Sequence, residues 1–441
     1  MNLNMAFANN PLAVATVTMS GGGLIEINSI FANNAAPLTC VNFNNGTLKA
    51  FSSANLLGAN LDGVFVHAGG ATIDSAGFNV SAVPQLQTPS GNGITAVAMA
   101  TAGAGYIGRP IVRISDSTGI GATAIADWSE ALGTVTGITI TCPGSGYTAP
   151  TLALVGGGYT NIATLGAVTL GAVPAAGGLT KTGNGALTLI GGYNYTGPTV
   201  VSGGTLSLLP NVVTPSTAGS MTINNAGLTV DTSSGNPLPV GSLTLQNNAT
   251  NTFNYGTLSL NPTAPAINAS GSLSAPGTGL IINISGFGLQ QGQFPLIKYT
   301  GAALGSIANF SLGALPPGVV ANLSNNVANL SVDLVVTGTG QNLSWYGLLP
   351  DGVTVSNEWN INLTTNWVTV GSSTPALRYQ EYTAGGNTVG DPVTLDDSVY
   401  TDGINPQMTN INLTATVRPF QFVVNNTLPY SLTGTDRKSV V

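Results

Sequence analysis

Short bursts of alternating apolar and small polar residues recur along the chain, each closed by Gly, Asn or a Gly-Pro pair. The densest stretch is 177–208, GGLTKTGNGALTLIGGYNYTGPTVVSGGTLSL, where residues 186–189, 198–201 and 205–208 alternate between glycine-rich breaks. Alternation over four or five positions predicts a half-buried strand, and the glycines predict turns. The same grammar predicts strands at 24–27, 41–43, 46–50, 64–66 and 71–74. It continues at 228–230, 243–245, 258–260, 280–284, 296–299 and 330–336, with a turn at Pro316-Pro317-Gly318. No helical period accompanies it. Many short strands without helices predict an all-β solenoid or stacked β-arches, although alternation alone fits hairpins as well. A single rung cannot close its own core, so neighbouring rungs must stack to bury continuous rows of Leu, Ile and Val.

A tandem repeat interrupts this pattern between about 94 and 165. ITAVAMATAGAGYIGRPIVRI (94–114) aligns with VTGITITCPGSGYTAPTLAL (135–154), which superposes Tyr106 on Tyr147 and Gly105 on Gly146. Each copy reads as strand, Gly-x-Gly-Tyr turn, Pro, strand and Gly-rich turn, with the tyrosine packed over the turn. A phosphate loop would need a following helix and a Walker lysine, and neither is present. The glycines are better explained by backbone at positive φ.

The stretch at 177–208 resembles the autotransporter-associated β-strand repeat, also called the passenger-associated transport repeat. Gly178, Leu179, Lys181, Gly183, Gly185, Leu187, Leu189, Tyr195, Thr196, Gly197, Val201, Gly204 and Leu206 stand at the positions that carry the resemblance. Ala186 departs from the usual Thr, and Tyr193 shifts the Asn-Thr-Tyr signature. The resemblance implies a right-handed parallel β-helix from a secreted or surface-exposed bacterial protein. It also implies a role in export, stalk formation or adhesion, with no catalytic residues.

Composition narrows the function classes. Charged residues make up 6% of the chain, against roughly 25% in an average soluble domain. Apolar residues reach 43%, which argues against a disordered chain. No apolar run approaches the ~18–20 residues of a membrane helix. The net charge of −7 comes from few groups, and the nine Lys and Arg form no basic stripe. Nucleic acid is therefore not an expected partner. Cys40 and Cys142 read as two buried small residues, with their pairing left open because it depends on whether the fold brings them together. His67, the single histidine, has no Cys, Asp or Glu at ligand spacing and reads as structural. The N-terminus lacks the basic and apolar regions of a signal peptide. Residues 436–441 (DRKSVV) change composition abruptly. They read as translated sequencing adapter, so the native sequence is expected to stop near Thr435 and to continue elsewhere.

Beyond Ser344 the composition shifts again. Trp345, Trp359 and Trp367 cluster, followed by Tyr379, Tyr382 and Tyr400, with final strands at 411–414 and 420–424. Asp391, Asp396, Asp397 and Asp402 form the densest acidic group and are weak calcium candidates. Their spacing matches neither an EF-hand nor a calcium β-roll, and solvated turn carboxylates are the favoured reading. Trp359 and Trp367 could stack on a glycan, but they read better as core anchors. Asp62, Asp74, Asp116, Asp127 and Glu130 are scattered. No Gly-x-Ser-x-Gly elbow or His-Glu-x-x-His motif is present, so no enzyme, catalytic residue or cofactor is expected.

The expected organisation is solenoid rungs over 1–89, tandem β-repeats over 90–166 and solenoid again over 167–340. A truncated Trp-containing β unit over 341–435 and the non-native tail complete it. The expected function is a non-catalytic passenger or stalk region on the bacterial surface, outer-membrane associated, serving adhesion or display. Its partners would be surface glycans or other cell-surface proteins. A carbohydrate-binding matrix module and a polysaccharide-degrading β-helix are the alternatives.

Overall fold

The computed structural model describes residues 1–5, 14–33, 38–209, 219–258, 260–287, 289–316, 319–338, 342–384, 387–401, 408–419 and 421–434. No helix occurs among them, and the strands stack into a parallel solenoid with three faces. The chain passes the faces in a fixed order. Val14–Ser20 lies on the first face, Leu24–Ile27 on the second and Ser29–Phe31 on the third. The next circuit repeats this with Leu38–Asn44, Gly46–Ala50 and Asn55–Leu57, and another with Gly63–Val66, Ala71–Asp74 and Val80–Ala82. The second face grows to an eight-stranded sheet and the third to a ten-stranded sheet.

Register explains why alternation suffices to build this object. Leu179 pairs in parallel with Thr199, Thr199 with Met221 and Met221 with Leu243, one position above another on successive rungs. On the third face Leu187, Leu206 and Leu228 stack likewise. All inward Leu, Ile and Val therefore meet their counterparts from neighbouring circuits. One continuous core runs from Met5 to Val336, and Leu48, Leu179, Leu187, Leu206, Leu228 and Leu280 within it are fully buried. Burying each such side chain contributes about 1.5–3 kcal/mol, so stability accumulates with rung number.

The first face is the irregular one. Its three opening strands continue through the parallel bridges Phe65 to Gln87 and Leu86 to Tyr193, then through Leu238–Val240, Ile267–Ala269 and Gly292–Lys298. There Ser331–Gly338 pairs antiparallel with Gly292–Lys298, and Val320–Asn326 folds back on Ser331–Gly338. This hairpin ends the parallel ladder on that face. Leu258 and Leu260 of the expected strand at 258–260 lie outside any strand. Thr250–Thr257 is the strand there, because Phe253 and Tyr255 supply the inward row, and Ser259 lies outside the described residues. Pro317 and Gly318 of the expected turn also lie outside them.

The tandem repeats form an excursion of antiparallel pairs: Asn92–Thr101 with Thr164–Ala172, Ile111–Ser115 with Thr151–Val155, and Thr123–Ser129 with Thr134–Cys142. Thr164–Ala172 closes it, so the excursion runs past the expected boundary at 166. The two copies exchange contacts. Ala163 N–H donates to Tyr106 Oη (2.9 Å), while Ala122 N–H donates to Tyr147 Oη (3.0 Å). Ala122 and Ala163 are related by the same interval as Tyr106 and Tyr147, so each tyrosine closes a turn of the other copy.

From Leu343 a second core forms around Trp345, Trp359, Trp367 and Tyr379. Val393–Asp396 pairs in parallel with Phe422–Asn425, and Asn410–Leu413 with Ser431–Gly434, so rung-like stacking resumes. Gly340, Gln341, Phe420, Asp402 and the 436–441 tail lie outside the described residues.

Candidate functional site

The stretch at 177–208 builds two successive rungs: Leu179–Thr182 with Ala186–Leu189, then Thr199–Val201 with Thr205–Leu208. Leu179, Leu187, Leu189, Tyr195, Val201 and Leu206 all point inward and are buried. Tyr193 and Tyr195 stack at 4.7 Å between ring centroids, and Tyr195 Oη lies 2.8 Å from Thr199 Oγ1. Shifting the Asn-Thr-Tyr signature therefore adds a second core ring. Thr196 is exposed and Gly197 follows it at the corner. Gly183 and Gly204 occupy turns. Gly178 and Gly185 allow the close approach of neighbouring rungs. A Cβ at Gly178 would lie 1.7 Å from Pro198 O, and one at Gly185 would lie 1.8 Å from Phe78 O.

Lys181 is the unusual member. It sits on an inward position and is fully buried. Its Nζ donates to Thr182 O (2.7 Å), Gly183 O (2.8 Å), Gly203 O (3.0 Å) and Ser75 Oγ (3.0 Å). Those acceptors come from three consecutive circuits, so one ammonium ties three rungs at a corner. Three N–H donors serve four acceptors, which makes at least one bond shared. Burial lowers its pKa to about 8, against the pull of the Asp74 carboxylate.

The family model for the passenger-associated-transport-repeat matches residues 179–208. The chain carries a passenger-associated transport repeat. Twelve of the thirteen positions read from sequence fall within the match; Gly178 precedes it by one residue. No curated protein and no solved structure matches the chain. The repeat points to an autotransporter passenger region, and so to a secreted or cell-surface bacterial protein.

A shallow depression of about 430 Å³ on the outer surface is lined by Asn184, Thr205, Asn225, Asn248 and Thr250, with no titratable side chain among its walls. No helix among the described residues is long and apolar enough to cross a membrane.

The other sequence candidates are dispersed or enclosed. Trp359 and Trp367 are 1% and 0% exposed. Their centroids lie 5.1 Å apart, Trp367 also meets Trp345 edge-on at 4.9 Å, and Trp359 meets Tyr379 at 5.3 Å. Their faces are spent on one another, which corrects the glycan-contact expectation for both residues. Asp391 is buried and accepts from Gln380 N (2.8 Å). Asp396 caps Ser398 N (2.9 Å). Asp397 accepts from Thr427 N (2.8 Å) and Leu428 N (3.2 Å), and these bonds hold its carboxyl below the usual range. These carboxylates serve different turns. Among the described residues no group of three or more His, Cys, Asp or Glu is placed to hold a metal ion.

One constellation was not foreseen. Cys40 and Asn42 alternate with the inward Val41 and Phe43, so they face outward from the first face, yet both are buried because the excursion covers them. Asn42 Nδ2 donates to Gly121 O (2.6 Å) and Thr18 Oγ1 (3.1 Å), and Thr18 Oγ1 lies 3.1 Å from Thr123 Oγ1. Cys40 Sγ donates to Asn42 Oδ1 (3.2 Å), His67 Nε2 lies 3.2 Å from the same oxygen, and Cys142 Sγ lies 3.2 Å from His67 Nε2. Burial lowers the His67 pKa to about 4, so the imidazole is neutral near neutral pH. In sequence the run Thr39 to Phe43 reads as an ordinary alternation, with Val41 and Phe43 on one face and Cys40 and Asn42 on the other, so nothing in it signals that the second face is covered.

Proposed function

We propose that the chain is a wall segment of an exported passenger: a non-catalytic stalk that holds the tandem-repeat excursion away from the bacterial surface for adhesion or display. The observation that carries this reading is the unbroken ladder across the excursion. Ala71 pairs with Leu179 in the same parallel register as Gly46 pairs with Ala71, so the wall continues as if the intervening residues were appended. The passenger-associated transport repeat forms the rungs that resume the wall, consistent with a role in propagating folded rungs during export. Contacts with glycans or neighbouring surface proteins would then fall to the uncharged Asn/Thr surface and the excursion. The test joins the full chain to an outer-membrane translocating barrel and measures antibody access on intact cells. Gly185→Val forces a side chain into Phe78 O and is expected to lower surface exposure without lowering synthesis. Undiminished exposure of that variant would refute the reading of these rungs, and turnover of a glycan panel by the purified chain would refute the non-catalytic one.

A further inference from the structure

We propose that Cys40 and Cys142 are the two halves of a covalent staple that fastens the tandem-repeat excursion to the solenoid. Both cysteines are free thiols and fully buried. They approach the same enclosed point from opposite sides, Cys40 from the first face of the solenoid and Cys142 from the end of the excursion strand Thr134–Cys142. A chain of three 3.2 Å contacts connects them through Asn42 and His67. The chain's two cysteines and single histidine are thereby collected at one interface.

Hydrogen bonding there suits a disulfide. Asn42 Nδ2 is committed to Gly121 O and Thr18 Oγ1, which fixes Oδ1 as the acceptor facing His67 Nε2. That nitrogen therefore carries the imidazole proton, directed at Oδ1, with Cys142 Sγ at 3.2 Å beside it. Cys142 Sγ receives a hydrogen bond from the Gly144 amide. Cys142 Sγ keeps the Gly144 bond when its own proton is lost, and Asn42 Oδ1, which loses the Cys40 S–H donor, keeps the His67 Nε2–H, so oxidation leaves each acceptor served. The approach is tight at the excursion side too: a Cβ on Gly121 would lie 2.6 Å from Cys40 Sγ.

The oxidant is a small-molecule disulfide. One cysteine thiolate attacks it, forming a mixed disulfide and releasing one thiol; the second cysteine displaces the other thiol and forms the Cys40–Cys142 bond. Two electrons pass to the reagent, and the two cysteine protons end on the two released thiols. Burial raises both thiol pKa values, that of Cys142 to about 11, so exchange waits on local opening of the interface. The oxidising setting rests on the surface-passenger reading, whereas the chemistry is tested on purified protein, so either can fail alone.

The folded full chain is incubated with glutathione disulfide, then unfolded, alkylated and peptide-mapped without reduction. The expected result is a linked pair of peptides containing Cys40 and Cys142, a fall from two free thiols to none, and a higher Tm that reductant reverses. Cys40→Ser and Cys142→Ser should each leave one cysteine carrying glutathione. Two glutathione adducts on the unsubstituted chain would overturn the staple. So would two thiols still free after a time in which the urea-unfolded chain is fully oxidised.

Discussion

Lys181 sets two large effects against each other, and the structure allows them to be weighed. Taking its ammonium out of water lowers the pKa from 10.5 to about 8, which at 1.36 kcal/mol per unit costs the folded state about 3 kcal/mol. Against this stand its bonds to the corner carbonyls. Lys181→Met keeps most of the side-chain volume and removes the charge. Thr182 O would still be served by Ser75 N (3.1 Å), and Ser75 Oγ would still reach Gly185 O (3.1 Å). Gly183 O and Gly203 O would lose the ammonium, at about 1–3 kcal/mol each. The substitution is therefore expected to change stability by between about 1 kcal/mol gained and about 3 kcal/mol lost, below the 3–5 kcal/mol cost typical of breaking a buried ion pair.

The pH dependence separates the two effects. Below pH 8 the lysine is charged in both states and the burial penalty is fully present. Between about 8 and 10.5 the folded state has released the proton while the unfolded chain still holds it. The unfolded state then binds more protons, so stability should rise with pH through that window. Hydrogen exchange at Ser202 N, bonded to Lys181 O (3.0 Å), reads the local opening without assuming two-state melting of a solenoid. Protection in the unsubstituted chain, corrected for intrinsic exchange, should increase from pH 8 to 10 and stay flat in Lys181→Met. If protection falls in the unsubstituted chain and the Met variant opens more than a thousandfold more readily at pH 7, a cost of about 4 kcal/mol or more, the ammonium stabilises the corner by more than the carbonyl bonds account for and the reasoning is wrong.

The excursion carries two further predictions. Tyr106→Phe and Tyr147→Phe each orphan one equivalent amide, Ala163 N or Ala122 N, and should destabilise the excursion by similar amounts, about 1–3 kcal/mol, measured by exchange of the strand amides; a large inequality would deny that the copies are exchanged alike. His67, with a folded pKa of about 4 against 6.5, binds a proton more weakly when folded, so its interface is fully stable above pH 6.5 and weakens as pH falls toward 4. Limited proteolysis between the excursion and the solenoid should increase across that range, and His67→Gln should remove the increase.

Much of the ladder could be read from alternation because a solenoid translates sequence period directly into facing. The expected strands at 24–27, 46–50, 71–74, 186–189 and 205–208 coincide with strands of the structure. The miss at 258–260 has a physical reason. Leu258 and Leu260 have the right spacing, but Phe253 and Tyr255 are larger and take the inward row first, leaving Leu260 69% exposed. Lys181 was legible as a motif letter and not as a buried one, since a lysine among threonines and glycines reads as solvent-facing. Its burial follows only when carbonyls of adjoining circuits surround Nζ, and those circuits are far apart in the chain. The same distance hid the cluster at Cys40, Asn42, His67 and Cys142. Trp359 and Trp367 were ambiguous for a simpler reason: ring content says nothing about which way the rings face.

The placement of the excursion explains how one chain can be both a wall and something else. It leaves after Thr88, on the irregular first face, where the ladder is held by single bridges such as Leu86 to Tyr193. The second and third faces cross the same level with full parallel pairing, Ala71 to Leu179 and Val80 to Leu187. An insertion on either of those would have interrupted a continuous sheet and exposed its backbone donors. On the first face it costs little, and it returns to cover the outward side of Leu38–Asn44, burying Cys40 and Asn42. The excursion is thus not tethered by its two ends alone. It is seated, and the polar seat from Thr18 to Cys142 fixes its orientation on the wall.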